Sequence, residues 1–462
     1  MQHSPEPALS PREVVRAGLC IGCGSCASAN QDAAMRWDAH GFLKPGGPAD
    51  WLNTRTGDLA RRCPFSPTAL NEDAIALERF PEARNGDGKV GRFIAAWVGH
   101  VAESEYRQRG SSGGMTSWVA AELLRTGAVD GVAHVAAEDP KTGRFFGYRI
   151  ARSVEEIGQG AKSRYYPVEL SGVLGEIRAV PGRYAIIGVP CFIKAIHLLR
   201  RSDPVIRERV THTLGLFCGH QKSARMIESF AWQLGVEMER VRTVDYRLKD
   251  ESRPANWYRA HLKLADGATA AEDWWNLADG DWGAGFFQNP ACDYCDDVVA
   301  ETADIAFGDA WVEPFSSDGR GTNVVVARSN AFDKMIEQGI ADGRLALQRV
   351  DAGFIERTQA AGLRHRRDGL AYRLSWSRNR LRPLKRVGPL ARALPARRRL
   401  VYRLRSSIAR WSNRMFRLAR ALKAPKLYLN WARCSLRLYQ GVTWSRGRIG
   451  RALDRLFPSP EA

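Results

Sequence analysis

The sequence predicts a mixed α/β (α+β) protein in three parts: a small cysteine-bearing N-terminal module, an α/β body and a basic helical C-terminal tail. Three observations carry this. Cys20, Cys23 and Cys26 form a tight run that Cys63-Pro64 completes, ahead of any strong strand pattern. From Phe93 onward, short apolar runs alternate with helical patterns, the order that builds a sheet layered with helices. Finally, the net charge of +19 is concentrated at one end. Residues 361–462 carry 27 Lys and Arg against 3 Asp and Glu, leaving 42 against 47 in the rest of the chain. The parts divide at residues 1–80, 90–355 and 360–462.

A chain of 462 residues is expected to fold as two or three units. Met1 to Ser10 is polar and proline-bearing, without the apolar stretch of a secretory signal. The best apolar run, Tyr184–Val189, is strand-sized and too short to span a membrane. Nine cysteines, most of them in CxxC-type groups, point to a reducing cytoplasm and metal ligation rather than a disulfide framework.

In the module, Cys20-Ile-Gly-Cys23-Gly-Ser-Cys26 followed later by Cys63-Pro64 is the ligand pattern of a ferredoxin-like [4Fe-4S] cluster. Three thiolates on one loop wrap a corner of the cluster, small residues at 22, 24 and 25 let the backbone approach, and Cys63 closes the cage. Zinc sites pair two CxxC groups or mix Cys with His, which fits the triple run poorly. Asp38-Ala-His-Gly41-Phe42-Leu-Lys-Pro45 reads as an extended piece and a turn. With little apolar core of its own, the module is expected to be held together by its cluster.

The body opens with the strand-like Phe93–Val98, the loop Gly110–Gly114, and a helical pattern from Met115 to Arg125 that stops at Thr126-Gly127. Ser112, Gly113 and Gly114 at a helix start offer backbone N–H groups to a phosphate; a tight turn with a serine cap explains the same residues. Lys162, Ser163, Arg164 and Tyr165 combine charge with an aromatic ring, suited to a flavin or simply to a solvated basic loop. Strands ending at Pro190-Cys191 and at Phe217-Cys218 would set two cysteines at carboxyl ends, where open α/β sheets bind ligands. Cys292-Asp-Tyr-Cys295 then reads either as a redox pair or, with Cys191 and Cys218, as a second set of four ligands. Cys434 stays unassigned.

In the tail, Leu400, Leu404, Ile408, Trp411, Met415, Leu418 and Leu422 recur at helical spacing among arginines. This basic amphipathic helix has three readings: an anionic membrane surface, docking on its own body or an acidic partner, and nucleic acid. Tryptophans and tyrosines at 402, 411, 428, 431, 439 and 444 suit a membrane surface. No nucleic-acid-binding motif accompanies the charge, so no nucleic acid is expected.

Taken in order, these motifs resemble the coenzyme F420 hydrogenase/dehydrogenase beta-subunit family, which includes F420-reducing hydrogenase beta subunits and 7-hydroxymethyl chlorophyll a reductase. The resemblance runs from Cys20 to about Arg328, through Ser112-Gly113-Gly114, Lys162–Tyr165, Gly188–Cys191, Gly215–Cys218 and Cys292–Cys295 with Gly308-Asp309. It implies an FAD-binding flavoprotein, with Ser112–Gly114 and Lys162–Tyr165 near the cofactor, and a second [4Fe-4S] cluster on Cys191, Cys218, Cys292 and Cys295. The activity expected is that of a cytoplasmic oxidoreductase, with a ferredoxin-like or other one-electron donor and a small-molecule acceptor. Two other readings stand beside it: an electron-transfer subunit of a larger redox complex, and a membrane-associated accessory protein of polysaccharide biosynthesis at the inner membrane face. The family often has Gly-Ser-Lys-Tyr where this chain has Ala161-Lys-Ser-Arg-Tyr165, and the tail lies outside the resemblance.

Overall fold

A computed structural model describes residues 8–456 apart from Arg84, 378–380 and 391–393; the N-terminal stretch before Ala8 lies outside the described residues. Eight strands make the main sheet: β1 (Ala95–Val101), β2 (Gly131–Ala137), β3 (Phe146–Ala151), β4 (Tyr184–Gly188), β5 (Val210–Leu216), β6 (Ile305–Asp309), β7 (Asn323–Ala327) and β8 (Leu345–Val350). Their order is β8-β1-β7-β6-β5-β4-β2-β3. The four inner strands β6, β5, β4 and β2 run parallel, and the remaining pairings are antiparallel.

Strand β4 shows why the centre is parallel. Tyr-Ala-Ile-Ile-Gly has no charged side chain, as a strand covered on both faces requires. Tyr184 and Ile186 pack in one layer, while Ala185 packs in the other with helix α1 (Met115–Arg125). Helix α2 (Pro190–Arg200) covers the first layer through Phe192, Ala195, Ile196 and Leu199. Helix α1 begins and ends where the sequence predicts. The edge strand β8 carries one fully buried residue, Leu345, and its Leu-Ala-Leu-Gln-Arg-Val run shows no regular alternation of apolar and polar residues.

The N-terminal module shares its cover with the body. Leu9, Val14, Leu19, Ile21, Leu59 and Phe65 share one core with Leu174, Ile177 and the inner face of α2. Its first helix, Pro11–Arg16, starts in a reciprocal Ser10–Glu13 capping box.

The tail is also part of the globule. Helices α3 (Arg225–Gln233), α4 (Ala396–Ala421) and α5 (Pro425–Trp444) enclose a core with an antiparallel three-stranded sheet, 241–245, 259–264 and 269–273. Phe416 stacks on Trp232 with ring centroids 4.3 Å apart. Of the readings of the tail, docking on its own body therefore holds for one helix face. That face takes in only part of the predicted stripe, Ile408 with Leu404 and Met415 beside it. Val401, Tyr402, Ile408, Phe416 and Ala419 are buried, whereas Leu400, Trp411, Leu418 and Leu422 are exposed. Helix α4 carries apolar residues on two stripes, and its neighbours decide which one is covered. Among the described residues, no helix is long and apolar enough to cross a membrane.

Candidate functional site: two cysteine sets and an aromatic box

Cys20, Cys23, Cys26 and Cys63 line one cavity of about 30 Å³ together with Met35, Pro45 and Phe65. Cys63 is the residue that ends the helix Gly57–Arg62, whose start Thr56 caps through Leu59 N–H. The loop from Cys20 to Cys26 turns through Gly22 at φ +80° and Gly24 at φ +81°. A Cβ at Gly22 would stand 2.5 Å from the Leu43 carbonyl oxygen, and one at Gly24 2.5 Å from Glu169 Oε2. These glycines thus serve a left-handed backbone pressed against the neighbouring chain, a reason distinct from the expected approach to a metal. Burial pushes the thiols of Cys23, Cys26 and Cys63 up, the last to about 12, and repulsion from neighbouring sulfurs adds to it.

Cys191 follows β4 directly in the first turn of α2, and Cys218 stands two residues past β5. Both lie at the carboxyl edge of the parallel strands, as the sequence predicts. Cys292 sits on the single turn Pro290–Tyr294 and Cys295 ends it. Gln221 N–H points at Cys292 Sγ from 3.3 Å. The Cys191 thiol is pushed up by burial first and then by Cys295, Cys218 and Cys292, with Cys23 of the first set adding to the repulsion. Each set of four therefore converges, the two sets abut, and all eight cysteines but Cys218 lie in or against one hydrophobic core.

Among the described residues, no three His, Cys, Asp or Glu side chains close in tightly enough for a single metal ion. Thiolates about 2.3 Å from one tetrahedral zinc would stand within about 4 Å of one another. Donor sets of sulfur alone are the ligand chemistry of an iron–sulfur cluster.

A residue of the tail reaches the second set. Arg366, 2% exposed, donates to the carbonyl oxygens of Cys292 and Gly219. Burial opposes its charge, yet Cys295, Cys292 and Cys218 keep the guanidinium firmly protonated. Nearby, a buried ion network ties the three parts of the chain. Lys194 and Lys385 reach Glu72 at 3.2 and 3.7 Å, and Lys385 reaches Asp296 at 3.0 Å. Arg386 binds Asp296 at 3.3 Å and also Glu301. Such pairs contribute little net stability when intact, but breaking one strands a buried charge.

The two segments expected near a flavin meet. Ser163 N–H donates to Ser111 Oγ at 2.7 Å. No serine caps α1: Gly114 holds the cap position at φ +86°, and Asn323 Oδ1 accepts Met115 N–H at 3.1 Å. The Ser112 hydroxyl instead donates to the Thr322 carbonyl at 2.9 Å. Lys249 Nζ ties the loop down through the Arg107, Ser112 and Arg320 carbonyls at 2.6, 3.1 and 2.7 Å. The Lys162 segment is no solvated loop. Lys162 pairs with Asp245 at 3.4 Å, and the Arg164 guanidinium lies 4.8 Å over Phe146.

Tyr165 enters an aromatic box, with ring centroids 4.6 Å from Trp282, 5.5 Å from Tyr246 and 5.9 Å from Trp274. Trp282 in turn stacks on His220 at 4.4 Å. His220 is two residues past Cys218, so an aromatic path joins the Tyr165 segment to the second cysteine set. Neither His220 nor Trp282 stands out in the sequence, because their partner lies far away in the chain. Arg366 has no local signal at all.

Residues 96–175 match the N-terminal family profile of the coenzyme F420 hydrogenase/dehydrogenase beta subunit, and residues 182–352 match its C-terminal profile. The chain is also similar to a solved chain of the F420-reducing [NiFe] hydrogenase complex from Methanosarcina barkeri, at 17% identity and TM-score 0.49, over 64% of this chain and 98% of that one. No curated protein sequence matches. The two family matches together span more than half of the chain, which belongs to the coenzyme F420 hydrogenase/dehydrogenase beta-subunit family.

Proposed function

We propose that this chain is an iron–sulfur flavoprotein oxidoreductase. In this reading Cys20, Cys23, Cys26 and Cys63 hold one [4Fe-4S] cluster, and Cys191, Cys218, Cys292 and Cys295 hold a second. FAD lies against Ser112–Gly114 and Lys162–Tyr165. The observation that carries the reading is the abutment of two all-cysteine sets, the second joined to Tyr165 through His220 and Trp282. Once bound, clusters supply one-electron transfer and a flavin couples single electrons to two-electron chemistry.

The chain's own groups divide the remaining work. Cys20, Cys26 and Cys63 are partly exposed, which leaves the first set accessible to a one-electron donor such as a ferredoxin-like protein. In the second set Cys292 and Cys295 are buried, with Arg366 donating to the Cys292 carbonyl, while Cys191 and Cys218 are partly exposed. Lys162 and Lys249 bring positive charge to the joined loops, as a cofactor phosphate requires; burial lowers the Lys249 ammonium to about 8, so it stays largely charged at neutral pH. The box around Tyr165 offers an apolar wall to a ring system, and a small-molecule acceptor would meet the flavin there.

The family's description as a beta subunit favours a second reading, in which the chain is the electron-transfer subunit of a larger redox complex. Anaerobic purification with iron, sulfide and flavin quantified tests the first reading. About eight irons and one FAD per chain are expected; zinc, or about four irons without flavin, would refute it. Flavin reduction by a chemical donor with no turnover of any acceptor, together with a co-purifying protein, would favour the subunit reading.

A further inference from the structure

Docking uses one face of the tail and leaves the other uncovered. On that outer side, α4 and α5 enclose an apolar groove of about 360 Å³ lined by Leu404, Ile408, Trp411, Met415, Trp431 and Leu438. On the same two helices and the turn between them Trp411 is 45% exposed, Leu418 46%, Leu422 62% and Trp444 62%. Ile408 belongs to the buried core and Leu404, Met415 and Trp431 rest against it, while Trp411, Leu418, Leu422 and Trp444 take no part in that core. They share the surface with exposed Arg410, Arg414, Arg417, Arg433 and Arg437, for which the described residues provide no acidic partner. Between Asp368 and Asp454 the sequence has no acidic residue, while the rest of the chain is slightly acidic.

We propose that the outer face of the α4–α5 hairpin is a docking surface for an anionic phospholipid bilayer, on which the protein lies without crossing. The chemistry distinguishes this occupant. Two helices lying side by side present a broad surface rather than one projecting stripe. Exposed Leu and Trp would enter the boundary of the acyl chains, and Trp rings favour the headgroup level. Arginine side chains are long enough to keep their charge among lipid phosphates while their stems lie on apolar surface. A nucleic acid would reward the arginines but not the leucines. An acidic protein groove would match the charge, yet nothing in this surface supplies the complementary polar rim of such an interface. The hairpin thereby anchors the same body that carries the cysteine sets, so the acceptor or its partner would be met at a membrane surface.

Deleting the tail cannot test this, because Phe416 and Tyr428 belong to the core. Point variants on the exposed side leave the core untouched. The full-length protein should sediment with phosphatidylcholine vesicles containing phosphatidylglycerol and remain in the supernatant with phosphatidylcholine alone. The double variant Arg414→Gln/Arg417→Gln should weaken binding to anionic vesicles about 30-fold, since each cation near such a surface is worth about fivefold. The variant Leu418→Ser/Leu422→Ser should abolish binding that survives moderate salt. Both should melt at the wild-type temperature, which separates loss of docking from loss of fold. Wild-type protein failing to bind anionic vesicles would overturn the proposal. So would unchanged binding by the leucine variant, which would indicate charge adsorption alone, or equally strong capture of duplex DNA or RNA, which would assign the face to nucleic acid.

Discussion

Replacing Arg366 by glutamine tests the coupling of the tail to the second cysteine set. The guanidinium is buried and bound to the carbonyl oxygens of Cys292 and Gly219, and it is the charged group that most opposes the repulsion felt by Cys218 and Cys295. If the set holds a cluster, an added electron is stabilised by that charge; at an effective dielectric of about 20 and a separation of roughly 6–10 Å the interaction is about 1.7–2.8 kcal/mol, so losing the charge should lower the midpoint potential by roughly 70–120 mV for a one-electron couple. The assay is an anaerobic redox titration followed by EPR, with iron counted in the same samples. Arg366→Lys keeps the charge but cannot reach both carbonyls, so it should recover part of the shift. A full iron content with an unmoved potential in Arg366→Gln would refute the reasoning, because it would mean that solvent already screens the site.

Three further outcomes follow from the geometry. Phe416→Ala should cost about 3–5 kcal/mol, since the ring is 1% exposed and packs on Trp232, Phe287 and Tyr428; a chemical melt showing no loss would mean the tail is not part of the folded body. Gly24→Ala should reduce the yield of folded protein and the iron bound, since its Cβ would meet Glu169 Oε2 at 2.5 Å on a left-handed backbone; normal iron content would count against the tight loop. Stability should fall as pH drops below about 6.5, the ordinary histidine value. Burial pushes His134 down to about 4 and His197 to about 3, so the unfolded chain binds protons there that the folded chain does not. Each such group costs up to about 1.4 kcal/mol per pH unit between those limits. A denaturation midpoint unchanged from pH 7 to pH 5 would show that the two imidazoles are not held neutral.

Much of the fold was legible because it is written locally. Helix α1 follows from an apolar pattern and a Thr126-Gly127 stop, and β4 from a run with no charged side chain. The spacing within Cys20–Cys26 is equally local, since seven residues already define a loop. The serine cap on α1 failed for the opposite reason: the group that serves its first N–H is Asn323, brought from β7 across the sheet. A solvated Lys162 loop failed likewise, because Asp245 and Phe146 reach it from other strands.

The tail marks the boundary most clearly. Its helicity, its arginines and its lack of acids are properties of composition and period, and any reader of the chain would recover them. Which stripe of α4 is buried is not such a property. Val401, Tyr402 and Phe416 compete with Leu400, Trp411 and Leu418 for cover on near-equal hydrophobic terms, and the winner is set by where α3, Phe287 and α5 stand. The same holds for the candidate site. Cysteine identity and spacing name the candidate donors, but the meeting of Cys191 and Cys218 with Cys292 and Cys295 depends on strand order. Arg366 joins them only because the chain doubles back after the sheet is complete, and sequence distance carries no record of that return.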